Sequence, residues 1–460
     1  MESDLRRRVE SGLRRAIRIE GEPDPAYRLW DRMALYGVTG CAIAVVDDGE
    51  VAWSKGYGAV ANGGLPVSTK TLFQAASISK VVNALGVLCL AENKLIDLDV
   101  DVNEQLRSWH LKRTDPWPFE AVTPRRLLAH IAGTSTSGFV GYEPGTRIPL
   151  VTEILDGAEW TGSEAVRVVS RPGKEYHYSG GGTAILEVLV EDVTGQPYGE
   201  ALRDLVLEPL GMGASHYCQP VDLTVYPNTA LGHTEAGVEL PGGGNVLPTL
   251  AAAGVWTNVE DLVSLVRGMF ALRDAKMAVP VISPYMARAM LTPMPNSPHG
   301  LGPEVVGDGR SRRFRHNGTN RGYCSQIEGL LGRDRAVVMM TNSSGGNSLI
   351  GETLRAIDEA YGWQLFERRA LLPARLEPNS AASLAGTYAG PFGMSAEVIW
   401  EGGCLYRSAA YGQTIMVPID EDRFIDSETG TLMAVERSGE RLVIKVLHEG
   451  TEILRYTKVP

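Results

Sequence analysis

A serine and a lysine three residues apart form the pattern in this chain with the clearest chemical meaning. The segment Ser77-Ile78-Ser79-Lys80 begins an apolar run and contains the only S-x-x-K spacing in the sequence. Residues at positions i and i+3 of a helix share a face, so the amine of Lys80 can reach the hydroxyl of Ser77. A helix N-terminus and burial both favour the neutral amine, which can take the serine proton. The spacing predicts an activated nucleophile for acyl transfer, and a helix-capping serine with a solvated lysine is the alternative.

A tyrosine beside a glycine run is the second candidate. Tyr178 is followed by Ser179 and by three glycines that lead into the predicted helix TAILEVLVEDVTG. A tight glycine loop at a helix entry can hold a phenol rigidly in a cleft, where cationic Lys80 would favour the ionised phenol and make it a proton shuttle. A glycine-rich helix start with a packing tyrosine is the alternative interpretation.

A histidine at the beginning of a predicted strand is the third candidate. In His316-Asn317-Gly318-Thr319, a donor side chain precedes a glycine that lets a substrate approach the backbone closely. The next backbone N–H, that of Thr319, can point at a developing oxyanion. A hydrogen-bonded structural histidine is the alternative. Together the three elements supply a nucleophile with its base, a proton shuttle and an oxyanion donor.

The surrounding elements predict a sheet interrupted by helices. The segment GCAIAVVDDGEVAWSKGYG alternates apolar and polar residues around Asp48-Gly49, which indicates a β-hairpin. Helical segments and Gly/Pro-rich loops alternate from 123 to 210, as in an all-helical region inserted into a sheet protein. The segments RGYCSQIEGLL and DRAVVMMTN then read as adjacent antiparallel strands, and LIGETLRAIDEAYGW reads as a closing helix.

The character of the chain changes after this helix. A Pro/Ala-rich stretch is followed by short alternating strands at regular spacing, as in a small antiparallel barrel. We therefore predict an α+β fold, in which an antiparallel sheet flanked by helices and an all-helical region precede a small C-terminal antiparallel β-barrel. The predicted domains are a catalytic domain at 1–370 and a barrel domain at 383–460.

Composition excludes several classes of function. The chain has 460 residues and a net charge of -11, which argues against a nucleic-acid partner. It has no apolar run long enough for a transmembrane helix, and its charged N-terminal segment lacks the apolar core of a secretory signal. Five scattered cysteines suit reduced thiols, and no metal-ligand spacing occurs. We expect a cytoplasmic protein with no metal, no cofactor and no membrane partner.

These motifs resemble those of a known family, the serine β-lactamase and penicillin-binding clan, and specifically its class C β-lactamase-like esterases and peptidases. LFQAASISKVVNALGVL is similar to the nucleophile helix, whose S-x-x-K motif opens the clan's signature. VTPRRLLAHIAGTSTSG resembles the L-L-x-H-x-x-G segment, PGKEYHYSGGGTAILEVLVEDVTG the P-G-x-x-x-x-Y-S-N element, and HNGTNRGY the K-T-G motif in its His-x-Gly form. The resemblance covers approximately residues 25 to 363. The segment after 383 resembles the lipocalin-like barrel of some relatives.

The resemblance implies a role for each matching residue. Ser77 is the nucleophile, Lys80 activates it, Tyr178 shuttles protons, and His316 orients Tyr178 or the substrate. The backbone N–H groups of Ser77 and Thr319 would form the oxyanion hole. The expected substrate-binding residues are Phe139, Tyr142, Gly180, Gly318 and Asn320. We assign His130 to structure, because it lies at apolar spacing in a predicted helix.

Two departures from the family pattern bear on the substrate. Gly180 stands where the family often has an Asn that binds an amide of the acyl chain, and His316 replaces a Lys that recognises a carboxylate. Both changes favour esters or small amides over β-lactams. The leading hypothesis is a serine hydrolase that cleaves a small-molecule ester or amide through an acyl-enzyme. An acyltransferase that passes the acyl group to an amine or alcohol, and a sensor acylated without turnover, remain the alternatives.

Overall fold

The computed structural model describes residues 2–277, 281–366, 368–390, 395–409, 412–438, 441–448 and 451–459. Its α-helices in these ranges are α1 Glu2–Glu10, α2 Leu29–Leu35, α3 Ser79–Glu92, α4 Pro124–Leu128, α5 Val151–Asp156, α6 Gly180–Thr194, α7 Tyr198–Leu202, α8 Leu250–Ala253, α9 Val259–Arg273, α10 Pro284–Met290, α11 Gly346–Tyr361 and α12 Pro378–Leu384.

The strands in the described ranges number eighteen. They are β1 Arg18–Ile19, β2 Gly40–Asp47, β3 Glu50–Gly58, β4 Phe73–Gln74, β5 Trp256–Thr257, β6 Glu304–Val306, β7 Arg313–Asn320, β8 Tyr323–Leu330, β9 Arg335–Thr341, β10 Ala370–Leu371, β11 Gly386–Ala389, β12 Ser395–Glu401, β13 Cys404–Ala409, β14 Gly412–Pro418, β15 Arg423–Asp426, β16 Leu432–Ser438, β17 Arg441–His448 and β18 Thr451–Lys458.

The chain divides into two compact units, of which Val38–Gly346 contains the candidate site. Its main sheet has six antiparallel strands in the order β3-β2-β9-β8-β7-β6. Helix α3 is apolar on all sides and is buried from Ser79 to Leu90, as expected for a helix in the middle of a core. Helix α6 is buried from Gly180 to Val190 for the same reason. Two buried helices thus begin at the two candidate motifs, α3 within Ser77–Lys80 and α6 just after Tyr178.

The second unit comprises Met1–Gly37 and Asn347–Pro460. Strands β11 to β18 form a closed eight-stranded antiparallel barrel, which leaves no unpaired sheet edge. Elsewhere in this unit the guanidinium of Arg32 in α2 binds the carboxylates of Glu352 and Glu428, and Tyr36 donates to Glu352 at 2.8 Å. A buried arginine with two carboxylate partners is compensated in charge, whereas removal of the arginine would leave two buried carboxylates without it.

The predicted fold class is confirmed. The hairpin at Asp48-Gly49 is β2–β3, the two strands joined by Gly332-Arg333 are β8 and β9, and the closing helix is α11. One local expectation is wrong: helix α4 ends at Leu128, so His130 lies beyond the helix and not within it. The domain boundary between 370 and 383 stays a prediction. In the described part of the chain, no helix is long and apolar enough to cross a membrane.

Candidate active site

The predicted nucleophile lies on a strained turn at the entry of a buried helix. Ser77 is in a single 3-10 turn, Ala76–Ile78, that continues directly into α3. Ala76 has φ +49°, a left-handed conformation that costs a residue with a Cβ about 1–2 kcal/mol. Ser325 in β8 donates to the carbonyl of Ala75 at 2.7 Å and holds this turn in place. Strain of this kind is concentrated at functional sites, because the surrounding structure has to maintain it.

The predicted base contacts the nucleophile directly. Lys80 Nζ lies 3.1 Å from Ser77 Oγ and 2.7 Å from the carbonyl oxygen of Ala252 in α8. The lysine side chain is buried, and its Nζ is 5.2 Å from the centroid of the Tyr178 ring. A general base has to lie within about 2.6–3.2 Å of the atom that it deprotonates. The pair satisfies this requirement, and Ala252 fixes the direction of the amine.

Tyr178 lies beside the same lysine, directly before the N-cap of α6. Ser179 is the N-cap of this helix: its Oγ accepts from the N–H of Gly182 at 2.8 Å and donates to the carbonyl of Ser135 at 2.7 Å. The Tyr178 ring packs on the imidazole of His130, with centroids 4.4 Å apart. Tyr176 is 41% exposed, and its hydroxyl lies 3.3 Å from His299 Nε2. Of the two tyrosines, Tyr178 is the one whose ring lies beside Lys80.

The glycines after Ser179 allow a neighbouring loop to pack directly on the helix. The N–H groups of Gly180 and Gly181 donate to the carbonyls of Ser137 and Thr136 at 3.2 and 3.0 Å. A Cβ at position 180 would lie 3.0 Å from the carbonyl oxygen of Ser137. A side chain at position 180 would therefore require the backbone of Ser137 to shift by a few tenths of an ångström.

Strand β7 brings the third motif to the nucleophile turn. Its alternation buries His316, Gly318 and Asn320 and exposes Asn317 and Thr319. A Cβ at Gly318 would lie 2.1 Å from the carbonyl oxygen of Ala75, so only glycine permits this approach. Strand β6 pairs with β7 only as far as Arg315. The part of β7 from His316 onward can therefore lie against the turn that carries Ser77.

His316 is a neutral imidazole with one defined tautomer. Its Nδ1 lies 2.7 Å from the carbonyl oxygen of Asn317, which can only accept, so the proton is on Nδ1 and the lone pair is on Nε2. Burial, and then the nearby His299 and Lys80, lower the pKa of His316 to about 3. Its Nε2 is buried without a hydrogen-bond partner among the described residues, and its ring centroid is 6.3 Å from that of Tyr178.

The remaining predicted residues make hydrogen bonds or packing contacts with other residues of the protein. The Asn320 amide donates to Gln74 Oε1 at 2.7 Å, and the Gln74 amide donates to the carbonyl of Asn245 at 2.9 Å. The Tyr142 hydroxyl donates to the carbonyl of Thr161 at 2.8 Å, and burial raises the pKa of this phenol. Phe139 is partly buried and packs against the apolar core. The structure thus brings Ser77, Lys80, Tyr178, His316 and Gly318 together, and the binding roles of the others stay predictions.

Two histidines lie beside Tyr178: His130, which the sequence analysis assigned to structure, and His299, which it did not consider. His130 and His299 are both buried, with ring centroids 4.8 Å apart in an edge-to-face contact. His130 lies in the L-L-x-H-x-x-G segment, which was a usable signal, whereas His299 lies in a loop without a recognisable pattern. In the ranges that the structure describes, no group of three or more His, Cys, Asp or Glu is arranged to hold a metal ion.

A serine in contact with a lysine at the entry of a buried helix, beside an antiparallel sheet, is the arrangement that the sequence analysis expected of the β-lactamase family. The Beta-lactamase family model matches residues 29–362, and the chain therefore belongs to this family of serine hydrolases. "Protein flp" of Staphylococcus aureus (strain N315) is 27% identical over 236 residues, which are 49% of this chain and 44% of that protein. This chain thus spans less than half the length of the curated relatives it matches.

Solved structures share the fold at low sequence identity. SurE with D-Leu has a TM-score of 0.59 and 21% identity, over 94% of this chain and 97% of that chain. The D-amino acid amidase from Ochrobactrum anthropi SV3 complexed with L-phenylalanine amide has a TM-score of 0.57 and 21% identity, over 78% of this chain and 99% of that chain. The match to SurE extends over nearly the whole of both chains.

Proposed function

We propose that this protein cleaves a small-molecule ester or amide through an acyl-enzyme on Ser77. The observation that carries the proposal is the 3.1 Å contact between Lys80 Nζ and Ser77 Oγ, with the Tyr178 ring beside the same amine. A nucleophile, a base within hydrogen-bond distance and a second proton-transfer group are the parts that covalent acyl transfer needs.

The chemistry proceeds in two halves. Lys80 takes the proton of Ser77 while Oγ attacks the substrate carbonyl carbon. The backbone N–H groups of Ser77 and Thr319 stabilise the resulting oxyanion. Tyr178 gives a proton to the departing alcohol or amine as the bond to the carbonyl carbon breaks. Water then attacks the acyl-enzyme, Tyr178 takes one of its protons, and Ser77 leaves with a proton returned from Lys80.

The surroundings of two residues support a preference for esters and small amides. Gly180 has no side-chain amide, so the contact to the acyl chain that the family's Asn makes has no counterpart. At His316, a pKa of about 3 means that the imidazole carries no charge at neutral pH. On the same strand, Arg315 is paired with Glu304 at 2.7 Å. A carboxylate-bearing substrate such as a penicillin would find weak recognition here.

The named ligands of two structural relatives suggest further candidate substrates. One of these structures is described as containing D-Leu and another as containing L-phenylalanine amide. Both D- and L-amino acid amides therefore belong in the test panel beside simple esters. An uncharged imidazole at His316 favours a small, uncharged acyl group over a peptide with a free carboxylate.

The proposal is tested by intact mass spectrometry and by product analysis on the full chain. Wild type is incubated with 4-nitrophenyl acetate, penicillin G, and D- and L-phenylalanine amide, and Ser77→Ala is the matched control. We expect an added acyl mass on Ser77 that decays by hydrolysis, no adduct on the variant, and faster turnover of the ester than of penicillin. Rapid penicillin hydrolysis with weak esterase activity would overturn the preference.

Three other outcomes identify the alternatives. Acyl transfer that outpaces hydrolysis when a millimolar amine is added would establish the acyltransferase. A stoichiometric acyl-enzyme that forms once and persists would establish the sensor. An adduct that still forms on the Ser77→Ala variant would show that the nucleophile assignment is wrong.

A further inference from the structure

His130 has an unusual backbone conformation directly after helix α4. Its φ is +55°, in the left-handed region that a residue with a Cβ adopts at a cost of about 1–2 kcal/mol. Its own N–H donates to the carbonyl of Leu127 at 3.2 Å, which ends the helix. The side chain is 3% exposed. Backbone strain of this kind persists only where the surrounding structure maintains it, and it is concentrated at functional sites.

This conformation points two hydrogen-bond acceptors of His130 at the backbone N–H groups of the residues before and after Tyr178. The N–H of His177 donates to the carbonyl of His130 at 2.8 Å. The N–H of Ser179 donates to His130 Nδ1 at 3.1 Å. One residue thus binds the backbone N–H groups of both residues that flank the predicted proton shuttle. The backbone of Tyr178 is held from one side by two hydrogen bonds.

The imidazole also contacts the phenol itself. The His130 and Tyr178 rings have centroids 4.4 Å apart and planes at 38°. Because Nδ1 accepts the Ser179 bond, a neutral ring carries its proton on Nε2. Burial, and then the neighbouring His299 and Lys80, hold the pKa of His130 well below 6.5, so the ring stays neutral and Nδ1 keeps its lone pair at neutral pH.

We propose that His130 is a positioning residue that fixes the backbone and the ring plane of Tyr178 beside Lys80. The inference rests on the proposed function, because it assigns His130 a role in placing that function's proton shuttle. His130 does not touch the reacting atoms. Its contribution is to remove the freedom of a glycine-flanked loop, since a shuttle displaced by about 1 Å can cost on the order of 10²-fold in rate.

Two substitutions separate the hydrogen bond from the ring contact. His130→Asn keeps an acceptor at the δ position, because Asn Oδ1 is as far from the backbone as His Nδ1, and Asn tolerates the left-handed conformation. His130→Phe keeps an aromatic ring beside Tyr178 but has no acceptor for the N–H of Ser179. His130→Gly adopts φ +55° without strain and lacks both side-chain contacts, so it serves if the Phe variant does not fold.

The experiment measures kcat and KM for 4-nitrophenyl acetate, together with the thermal unfolding midpoint. We expect His130→Phe and His130→Gly to lower kcat by about 10²-fold with KM changed less than about threefold. His130→Asn should recover most of the loss. The exposed His110 is replaced by Asn as the matched control and should behave as wild type. Rates are divided by the fraction of molecules that form the Ser77 adduct, so a loss of folded enzyme does not imitate a slower step.

The outcomes distinguish this inference from the function on which it rests. If wild type forms no adduct at Ser77, the proposed function fails. If wild type forms the adduct but folded His130→Phe and His130→Gly turn over as wild type does, the function stands and the positioning role is overturned. If His130→Asn is as slow as His130→Phe, the acceptor bond to Ser179 is not what positions Tyr178, and the inference fails as well.

Discussion

Replacing Gly318 with alanine should misplace the nucleophile. A Cβ at this position would lie 2.1 Å from the carbonyl oxygen of Ala75 and 2.4 Å from Ser325 Oγ. Cβ atoms in folded proteins essentially never approach such atoms within 3.0 Å. Strand β7 and the turn at Ala76–Ile78 would therefore have to separate by about 1 Å, and a displacement of this size costs on the order of 10²-fold in rate.

The same clash should also destabilise the fold, by about 1–3 kcal/mol, because both neighbours are buried and cannot move freely. The two effects are measured separately. Single-turnover acylation by 4-nitrophenyl acetate reports the position of Ser77, and urea unfolding reports stability. Acylation is measured without urea, at a temperature at which both proteins are fully folded. A loss of stability then does not lower the measured acylation rate.

Gly332 supplies the matched control. It lies in the turn between β8 and β9, where a Cβ would meet nothing within 4 Å. We expect Gly332→Ala to acylate as wild type does. If folded Gly318→Ala also acylated at the wild-type rate, the close approach of β7 would not be what positions the nucleophile, and the steric reasoning would be refuted.

Three more expectations concern the candidate catalytic side chains. Ser77→Ala and Lys80→Ala should each lower turnover by on the order of 10⁴ or more, with the double variant hardly worse, since the two act as a unit; additive losses in steady-state assays would contradict this. Tyr178→Phe should cost roughly 10²-fold and Tyr176→Phe far less, because the former ring lies beside Lys80; equal losses would remove the shuttle role. His316 has a folded-state pKa of about 3 against 6.5, so its contribution to stability is present above pH 6.5 and is lost as the pH falls toward 3. The urea stability of His316→Gln should then fall on the order of 2 kcal/mol less than that of wild type between pH 7 and pH 5, and equal decreases would show that His316 is not buried as a neutral ring.

Local sequence patterns were sufficient for much of the fold. Alternation around Asp48-Gly49 predicted the hairpin of β2 and β3, because turn chemistry and a period of two are local properties. The same argument predicted β8, β9 and the strands of the C-terminal barrel. The contact between Ser77 and Lys80 follows from helical periodicity alone, since residues three apart on a helix share a face.

Contacts between distant segments were decided only by the tertiary structure. The amine of Lys80 is directed by the carbonyl of Ala252, which lies 172 residues away, and no local pattern relates the two. The helical pattern through His130 led to a wrong prediction, because α4 ends at Leu128. The strained backbone at His130 is instead maintained by hydrogen bonds to the residues around Tyr178. The sequence by itself determined which groups could do acyl transfer and the helix that pairs two of them. Packing decided where Tyr178 and His316 lie. The free energy that holds these two residues in place comes from burial and from hydrogen bonds between segments far apart in the chain.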